Sequence, residues 1–512
     1  MRKQSLIKGT FILGLAGIFT RFLGIFFRWP LIMLIGDEGI GYYQMSYPLY
    51  MFFIAIASGM PVAISKMVSE RNATGDTEAA ALVLKKALIL MFIMGGSFTG
   101  FILLFSHQII SALNWDKKSY YSLIAIAGAP LCISIVSALR GYFQGFQNMI
   151  PTAISQILEQ CGRVIVGVGL AYLLISKGIE YSAGGAAFGA SFGAIVAGIY
   201  LTIKYLKTQT KVKTKTTHKE SNIMFKLLYI AIPISIGAAV SSVMSLLDSI
   251  IVPQKLLLAG LTYKEATVLY GQLTGKAFVL INVPLTLSIA LCSSLVPIIS
   301  EAYILNKKSQ VINKVHLAMR ASMVIGIPSF CGLFFMSRPI LNLIFPGNGG
   351  GDNILRFLSI SIPFITLTQT STAILQGIGK YTLPVRNILV ACIVKVIITM
   401  ILVPIPSINV YGAVIGTITG YVLVALLNLW NVKSELGIKI NIYDIIIKPA
   451  YASVIMTIVV VFIYLNVYNS TMSSSIACFS AVFIGIIIYS ILVLSFGIFS
   501  YSQIKNKIRK KH

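Results

Sequence analysis

Fourteen stretches of this 512-residue chain are apolar for long enough to cross a bilayer, which leaves a bundle of membrane helices as the fold class. Their approximate spans are 6–35, 41–65, 84–106, 120–140, 151–175, 183–204, 224–247, 270–299, 316–336, 355–376, 383–404, 409–431, 446–466 and 474–498. Barrel strands are short and alternate in polarity, so continuous runs of this length exclude a β-barrel. Only 11% of residues are charged, whereas a soluble domain carries about 25%. The first run is not read as a cleaved signal peptide: it is too long, holds internal arginines, and lacks a small-residue cleavage site before Trp29-Pro30. An even number of spans puts both termini on one side.

The formal net charge of +26 raises nucleic acid as a partner, but its distribution argues against one. With the N-terminus in the cytoplasm, 29 of the 41 Lys and Arg fall in cytoplasmic segments, 7 in outer loops and 5 within helices. That asymmetry is the positive-inside signature of a multi-pass membrane protein with both termini cytoplasmic.

The longest connection, between Lys204 and Lys226, carries Lys207, Lys211, Lys213, Lys215 and Lys219 among Thr and Gln, and reads as a polar linker. It divides an N-lobe (1–206) from a C-lobe (224–432), with the basic linker at 207–223 and a C-terminal helix pair plus basic tail at 433–512. The lobes echo one another. Met60-Pro61-Val62-Ala63-Ile64-Ser65 is matched by Val296-Pro297-Ile298-Ile299-Ser300, and Gln144-Gly145 with Arg163 by Gln376-Gly377 with Lys395. Two six-helix lobes entering from the same side form a parallel repeat, and transporters of that plan bind substrate between the halves and alternate access by rocking.

The intramembrane bases are Arg21, Arg28, Arg163, Lys276 and Lys395. A central Arg costs about 2.5–3.5 kcal/mol to insert and never deprotonates to escape that cost. Arg21 and Arg28 stand close to two helical turns apart and can share a face. Arg140 and Lys66 sit at segment ends where snorkelling is expected, and Lys276 is near enough to an end to do the same. Glu159 and Arg163 are spaced to pair on one face. Asp248 lies near the outer end of the seventh segment, and Asp37 and Glu38 are expected to be solvated at the first outer turn. Bases contributed by four different segments are expected to converge at an interface between the lobes. Excess buried positive charge favours an anionic ligand, for which Arg offers a planar fork and Lys a point charge. Neither a Walker A pattern nor a nucleophile–base constellation occurs, so no enzyme is expected. The six cysteines and four histidines have no metal-ligand spacing, so no metal site is expected.

Several motifs resemble a known group. They are Lys8-Gly9-Thr10 through Thr20-Arg21-Phe22-Leu23-Gly24 to Arg28, Gly36-Asp37-Glu38-Gly39-Ile40-Gly41-Tyr42-Tyr43, Gly59-Met60-Pro61-Val62-Ala63-Ile64-Ser65-Lys66, Leu139-Arg140-Gly141-Tyr142-Phe143-Gln144-Gly145, Leu158-Glu159-Gln160 with Arg163, and Tyr270-Gly271-Gln272-Leu273-Thr274-Gly275. Together with Leu295-Val296-Pro297-Ile298-Ile299-Ser300-Glu301, they resemble the multidrug/oligosaccharidyl-lipid/polysaccharide exporter superfamily and its polysaccharide-transport branch. The resemblance runs from about residue 3 to residue 435. It implies a two-lobe transporter of MATE-like, V-shaped architecture. It also implies transfer of an undecaprenyl-pyrophosphate-linked precursor, lipid II foremost, to the outer leaflet, feeding spore cortex peptidoglycan. On this reading Arg21 and Arg28 bind the pyrophosphate, with Lys276, Arg163 and Lys395 shaping the field. Membrane lipids, and in one variant wall-synthesis enzymes, are the other partners. No cofactor is expected beyond a coupling cation, Na+ or H+, for which Glu159 and Asp248 are the candidate acids. A cation-coupled drug exporter using Asp248, and a non-transporting scaffold for wall synthesis, are the alternatives.

Overall fold

The computed structural model describes residues 6–209, 222–305, 307–438 and 441–498, except for the side chains of residues 6–11, 14, 18, 21, 25, 209, 236–238, 240, 241, 293, 294 and 297. Most of the basic linker and the basic tail therefore lie outside the described residues. Most of the described residues are helical, and there is no strand among them. Eleven helices are long and apolar enough to cross a membrane, or twelve if one bent pair counts as a single span. The fourteen segments of the sequence exceed that count at the break at Gly36 and at Ile223–Leu258.

The chain divides into two compact units. The first holds Met1–Leu257 and Leu261–Gly271; the second holds Leu258–Gly260 and Gln272–His512. The first contains α1 (Leu6–Ala57), α2 (Gly59–Ala73), α3 (Thr77–Ala112), α4 (Tyr120–Ala127), α5 (Ala129–Gly145), α6 (Ile150–Leu174), α7 (Ile179–Gln209), α8 (Ile223–Leu258, but for its last residue) and α9 (Tyr263–Gly271). The second contains α10 (Phe278–Ile304), α11 (Lys308–Phe335), α12 (Ser337–Ile344), α13 (Asp352–Leu358), α14 (Ser361–Gly377), α15 (Thr382–Leu402), α16 (Tyr411–Leu436), α17 (Lys448–Thr471) and α18 (Ser474–Ser495). A π-helical stretch, Gln272–Ala277, precedes α10.

Helix α1 has 52 residues, which if straight would reach about 78 Å, more than twice the hydrocarbon thickness. It is broken at Gly36, whose φ of 60° and ψ of −166° suit glycine alone. The bend is sharp. Phe27 and Tyr43 are sixteen positions apart, about 24 Å along a straight helix, yet their ring centroids are 5.9 Å apart. The two halves of α1 therefore fold against each other. Because the backbone stays helical after Gly36, Glu38 and Tyr42 lie one turn apart, and the Tyr42 hydroxyl donates to Glu38 Oε1 at 2.9 Å. Lys264 pairs with the same carboxylate at 3.2 Å. Asp37 and Glu38 are thus half-buried, not solvated as the sequence suggested, because a kinked helix takes the place of an open turn.

The helices of the two units pack in the same order. In the first, α2 packs on α3 and α5, α3 on α5, α5 on α7, and α6 on α7. In the second, α10 packs on α11 and α14, α11 on α14, α14 on α16, and α15 on α16. Shared glycines mark the repeat. A Cβ at Gly145 would meet Ser65 O and the Val68 side chain; one at Gly377 would meet Val296 O and the Ile299 side chain. The echo around Gln144-Gly145 and Gln376-Gly377 therefore records one packing solution used twice. Helices α17 and α18 pack on each other, with α17 also on α11 and α18 on α12.

The linker-based division puts α8 with the second half, whereas its contacts put it in the first unit. Gly59 lets α2 approach the backbone of Ala231 on α8, and the Gly59 amide donates to Ser235 Oγ at 3.2 Å. The buried Trp115 indole donates to Ser249 O at 2.9 Å. A polar linker marks where a chain is loosely constrained. It does not say which neighbour the next helix packs on.

Candidate functional site

The bend at Gly36 sets the first wall of the site. Beyond it, Tyr43, Tyr47 and Tyr50 follow at helical spacing and form a ladder, with centroids 5.2 Å apart for the stacked pair Tyr43–Tyr47 and 6.0 Å for Tyr47–Tyr50. Tyr43 and Tyr50 are buried, and Tyr47 is partly exposed. The second wall is α6, held to α7 by a seam of small residues, as membrane helices require for close approach. A Cβ at Gly189 would stand 2.7 Å from Arg163 O, and one at Gly193 would fall well inside van der Waals contact of Glu159 O. This seam fixes the height and rotation of α6, and with them the two charged side chains it carries.

Arg163 is buried, and its Nη2 lies 3.3 Å from the Tyr50 hydroxyl and 3.6 Å from Glu159 Oε1. The guanidinium carbon sits 5.8 Å from the centre of the Tyr50 ring, within cation–π range. Glu159 is held from its other side by Arg140, whose Nη2 donates to Oε2 at 2.9 Å while its Nε donates to Ser155 Oγ at 2.8 Å. Two guanidinium groups thus share one carboxylate, which leaves one positive charge over. Half-buried Arg28, on the near side of the bend, follows Phe27, whose ring centroid lies 5.9 Å from that of Tyr43. Arg163 Nε and Gln156 Oε1 are buried without a hydrogen-bond partner among the described residues.

One reading from the sequence is corrected here. Arg140 does not snorkel: its side chain is 14% exposed, because the carboxylate of Glu159 and the hydroxyl of Ser155 offer it a nearer partner than water. Arg28 and Arg163 lie in the first unit, and Lys276 and Lys395 in the second. The Glu159–Arg163 pair forms as its spacing predicts. At Arg21 the backbone is helical, and the side chain lies outside the described residues.

The bases of the second unit are differently placed. Lys276, on the π-helical stretch, is 1% exposed and cannot be snorkelling. Its ammonium donates to Asn348 O, and to Gly350 O at 3.3 Å, and lies 5.7 Å from the Phe345 ring centre. It holds the glycine-rich loop after α12. We expect Lys276→Met to raise amide exchange in residues 345–351 several-fold by mass spectrometry. Unchanged protection there would refute the tether.

Lys395 is buried on α15 and faces α16. Gly416 would bring a Cβ to 3.1 Å of Lys395 O, and Gly420 to 3.4 Å of Lys395 Cβ and 3.6 Å of Ala391 O. These glycines are the counterparts of Gly189 and Gly193, so Lys395 occupies the place of Arg163 and Ala391 that of Glu159. The second unit keeps the base and lacks the acid. Neutral pairs stand nearby, with Asn387 Nδ2 donating to Asn428 Oδ1 at 2.8 Å and Asn428 Nδ2 to Thr372 Oγ1 at 3.0 Å. Asp248, the other candidate acid, is half-buried on α8.

Sequence reasoning passed over the tyrosine ladder and the part played by Arg140. The ladder had a signal, an i, i+4, i+7 aromatic stripe immediately after a glycine-rich bend. Arg140 had none, because its partners come from the next helix.

Residues 6–303 match the family described as polysaccharide biosynthesis protein. The chain is 31% identical to stage V sporulation protein B of Bacillus subtilis (strain 168) over 453 residues, which is 87% of this chain and 86% of that protein. It is 25% identical to lipid II flippase MurJ of the same organism, over 89% of this chain and 87% of the relative. In fold it is similar to a solved structure of lipid II flippase MurJ in an inward closed conformation, with a TM-score of 0.71 at 16% identity, covering 94% of this chain and 98% of that one.

Proposed function

The chain belongs to the polysaccharide biosynthesis protein family, and from that premise we propose that it flips an undecaprenyl-pyrophosphate-linked glycan, lipid II foremost, from the inner to the outer leaflet. The observation that carries this reading is the buried Arg163 inside a multi-pass membrane unit, where a single carboxylate is already shared between two arginines. A pyrophosphate supplies the negative charge that this arrangement leaves unmatched, and the guanidinium fork matches its oxygens. Sugars then occupy the polar surface beside the tyrosine ladder while the lipid tail stays in the bilayer. The glycan named in one relative and the sporulation named in another support lipid II and a cortex role respectively.

Alternating access between the two units, the second of which carries the helix pair within 433–512, supplies the cycle. The positive-inside asymmetry supports cytoplasmic termini. Lys276 and Lys395 contribute to the field rather than to direct contact. A coupling cation, Na+ or H+, has Asp248 as its best-placed acid. Wall-synthesis enzymes are the natural consumers of the transferred precursor.

The test is leaflet transfer of labelled lipid II in liposomes holding the full chain, with a competing undecaprenyl-linked glycan of different sugars. We expect transfer by the wild type and at least a tenfold loss in Arg28→Ala, the scale of a charge-assisted hydrogen bond. Normal transfer in Arg28→Ala would remove Arg28 from the site. Equal transfer of the competitor would place specificity in the pyrophosphate alone.

A further inference from the structure

We propose that Arg140 and Glu159 form a clamp that positions Arg163 for its anionic ligand, and that Glu159 is therefore committed to this clamp and does not bind the coupling ion. The inference rests on the anion-site reading above and assigns what its half-buried acid does. Glu159 is the one acid paired with Arg163 among the described residues, and both of its oxygens are engaged: Oε2 with Arg140 at 2.9 Å and Oε1 with Arg163 at 3.6 Å. Arg140 is itself fixed, since its Nε donates to Ser155 Oγ and that hydroxyl donates on to Thr152 O at 2.7 Å. The chain of contacts runs from the backbone of α6 through Ser155, Arg140 and Glu159 to Arg163, and ends on Tyr50.

Its effect is directional. With one edge of the guanidinium turned to Glu159 and Tyr50, the Arg163 Nε is left buried and without a hydrogen-bond partner among the described residues. A buried N–H without an acceptor is costly, and a phosphate oxygen satisfies it. A cation seeking Glu159 has to displace a guanidinium from each oxygen, and the surplus positive charge opposes its approach. At the equivalent position of the second unit stands Ala391, which carries no carboxylate.

The experiment uses the full-length protein in detergent and in liposomes, with undecaprenyl pyrophosphate as the binding probe. Glu159→Gln and Arg140→Ala should each weaken binding about tenfold, and the double variant no further, because both act through Arg163. Glu159→Asp should restore most of the affinity. Any dependence of transfer on Na+ or on a proton gradient should persist in Glu159→Gln, a result that a coupling acid could not give. A readout without substrate stands beside these: phenylglyoxal labelling of Arg163, followed by mass spectrometry, should rise about fivefold in Glu159→Gln and Arg140→Ala as the clamp loosens. Unchanged labelling overturns the clamp, as does loss of ion dependence with affinity intact. If the wild type binds no undecaprenyl pyrophosphate while labelling responds as stated, the anion-site reading fails and the clamp stands.

Discussion

Arg163→Ala should lower lipid II transfer at least about a hundredfold while the protein remains folded in the membrane. Two charge-assisted contacts to phosphate, at about 1.5–3 kcal/mol each, account for a loss of that size. Folding survives because Glu159 keeps its shorter contact, to Arg140 at 2.9 Å, when Arg163 is gone. A buried acid stripped of every partner would destabilise the unit by about 3–5 kcal/mol; this one is not stripped. Arg163→Lys should fall between, at about a tenfold loss, since an ammonium keeps the charge and gives up the planar fork. The measurement is initial transfer rate in liposomes, normalised to folded protein by size-exclusion chromatography. Wild-type rates in Arg163→Ala would move the anion site elsewhere.

Gly193→Leu should abolish recovery of folded protein. A side chain there collides with the carbonyl of Glu159, the residue that α6 must carry into the site. Overpacking costs about 1–3 kcal/mol where neighbours can yield, and a helix backbone yields little. Three controls isolate the cause. Gly169→Ala and Gly100→Ala meet nothing within 4 Å and should keep the wild-type melting temperature. Gly420→Ala, at the equivalent place in the second unit, meets its nearest atom at 3.4 Å and should cost at most a few degrees. Thermal size-exclusion profiles decide it. Equal tolerance at Gly193 and Gly420 would show that the seam does not fix α6.

The site was legible in the sequence where its groups are neighbours on one helix. Glu159 and Arg163 are four apart, so helical geometry alone brought them together. The bases at Arg28, Lys276 and Lys395 stood out because apolar surroundings make a charge conspicuous. Their uses did not. Lys276 reads as a base that can reach the membrane surface or a ligand, yet it is buried against the carbonyls of Asn348 and Gly350, seventy-two and seventy-four residues away. Arg140 reads as a residue at a helix end that reaches water, yet it holds a carboxylate on the next helix. Nothing local distinguishes these outcomes, because a side chain chooses its partner after the helices have chosen theirs.

The amino-acid sequence by itself determined the membrane class and the duplicated halves, because long apolar runs admit only helices in lipid and because repeated motifs record a repeated packing solution. It also determined the supply of buried positive charge, since arginine cannot shed its proton. The tertiary structure alone decided which bases share a site. The bend at Gly36 folded Phe27 onto Tyr43, and the glycine seam between α6 and α7 set the rotation that carries Arg163 to Tyr50. Periodicity places residues on the face of one helix. The distance between faces is set by close packing, which depends on atoms far apart in the chain.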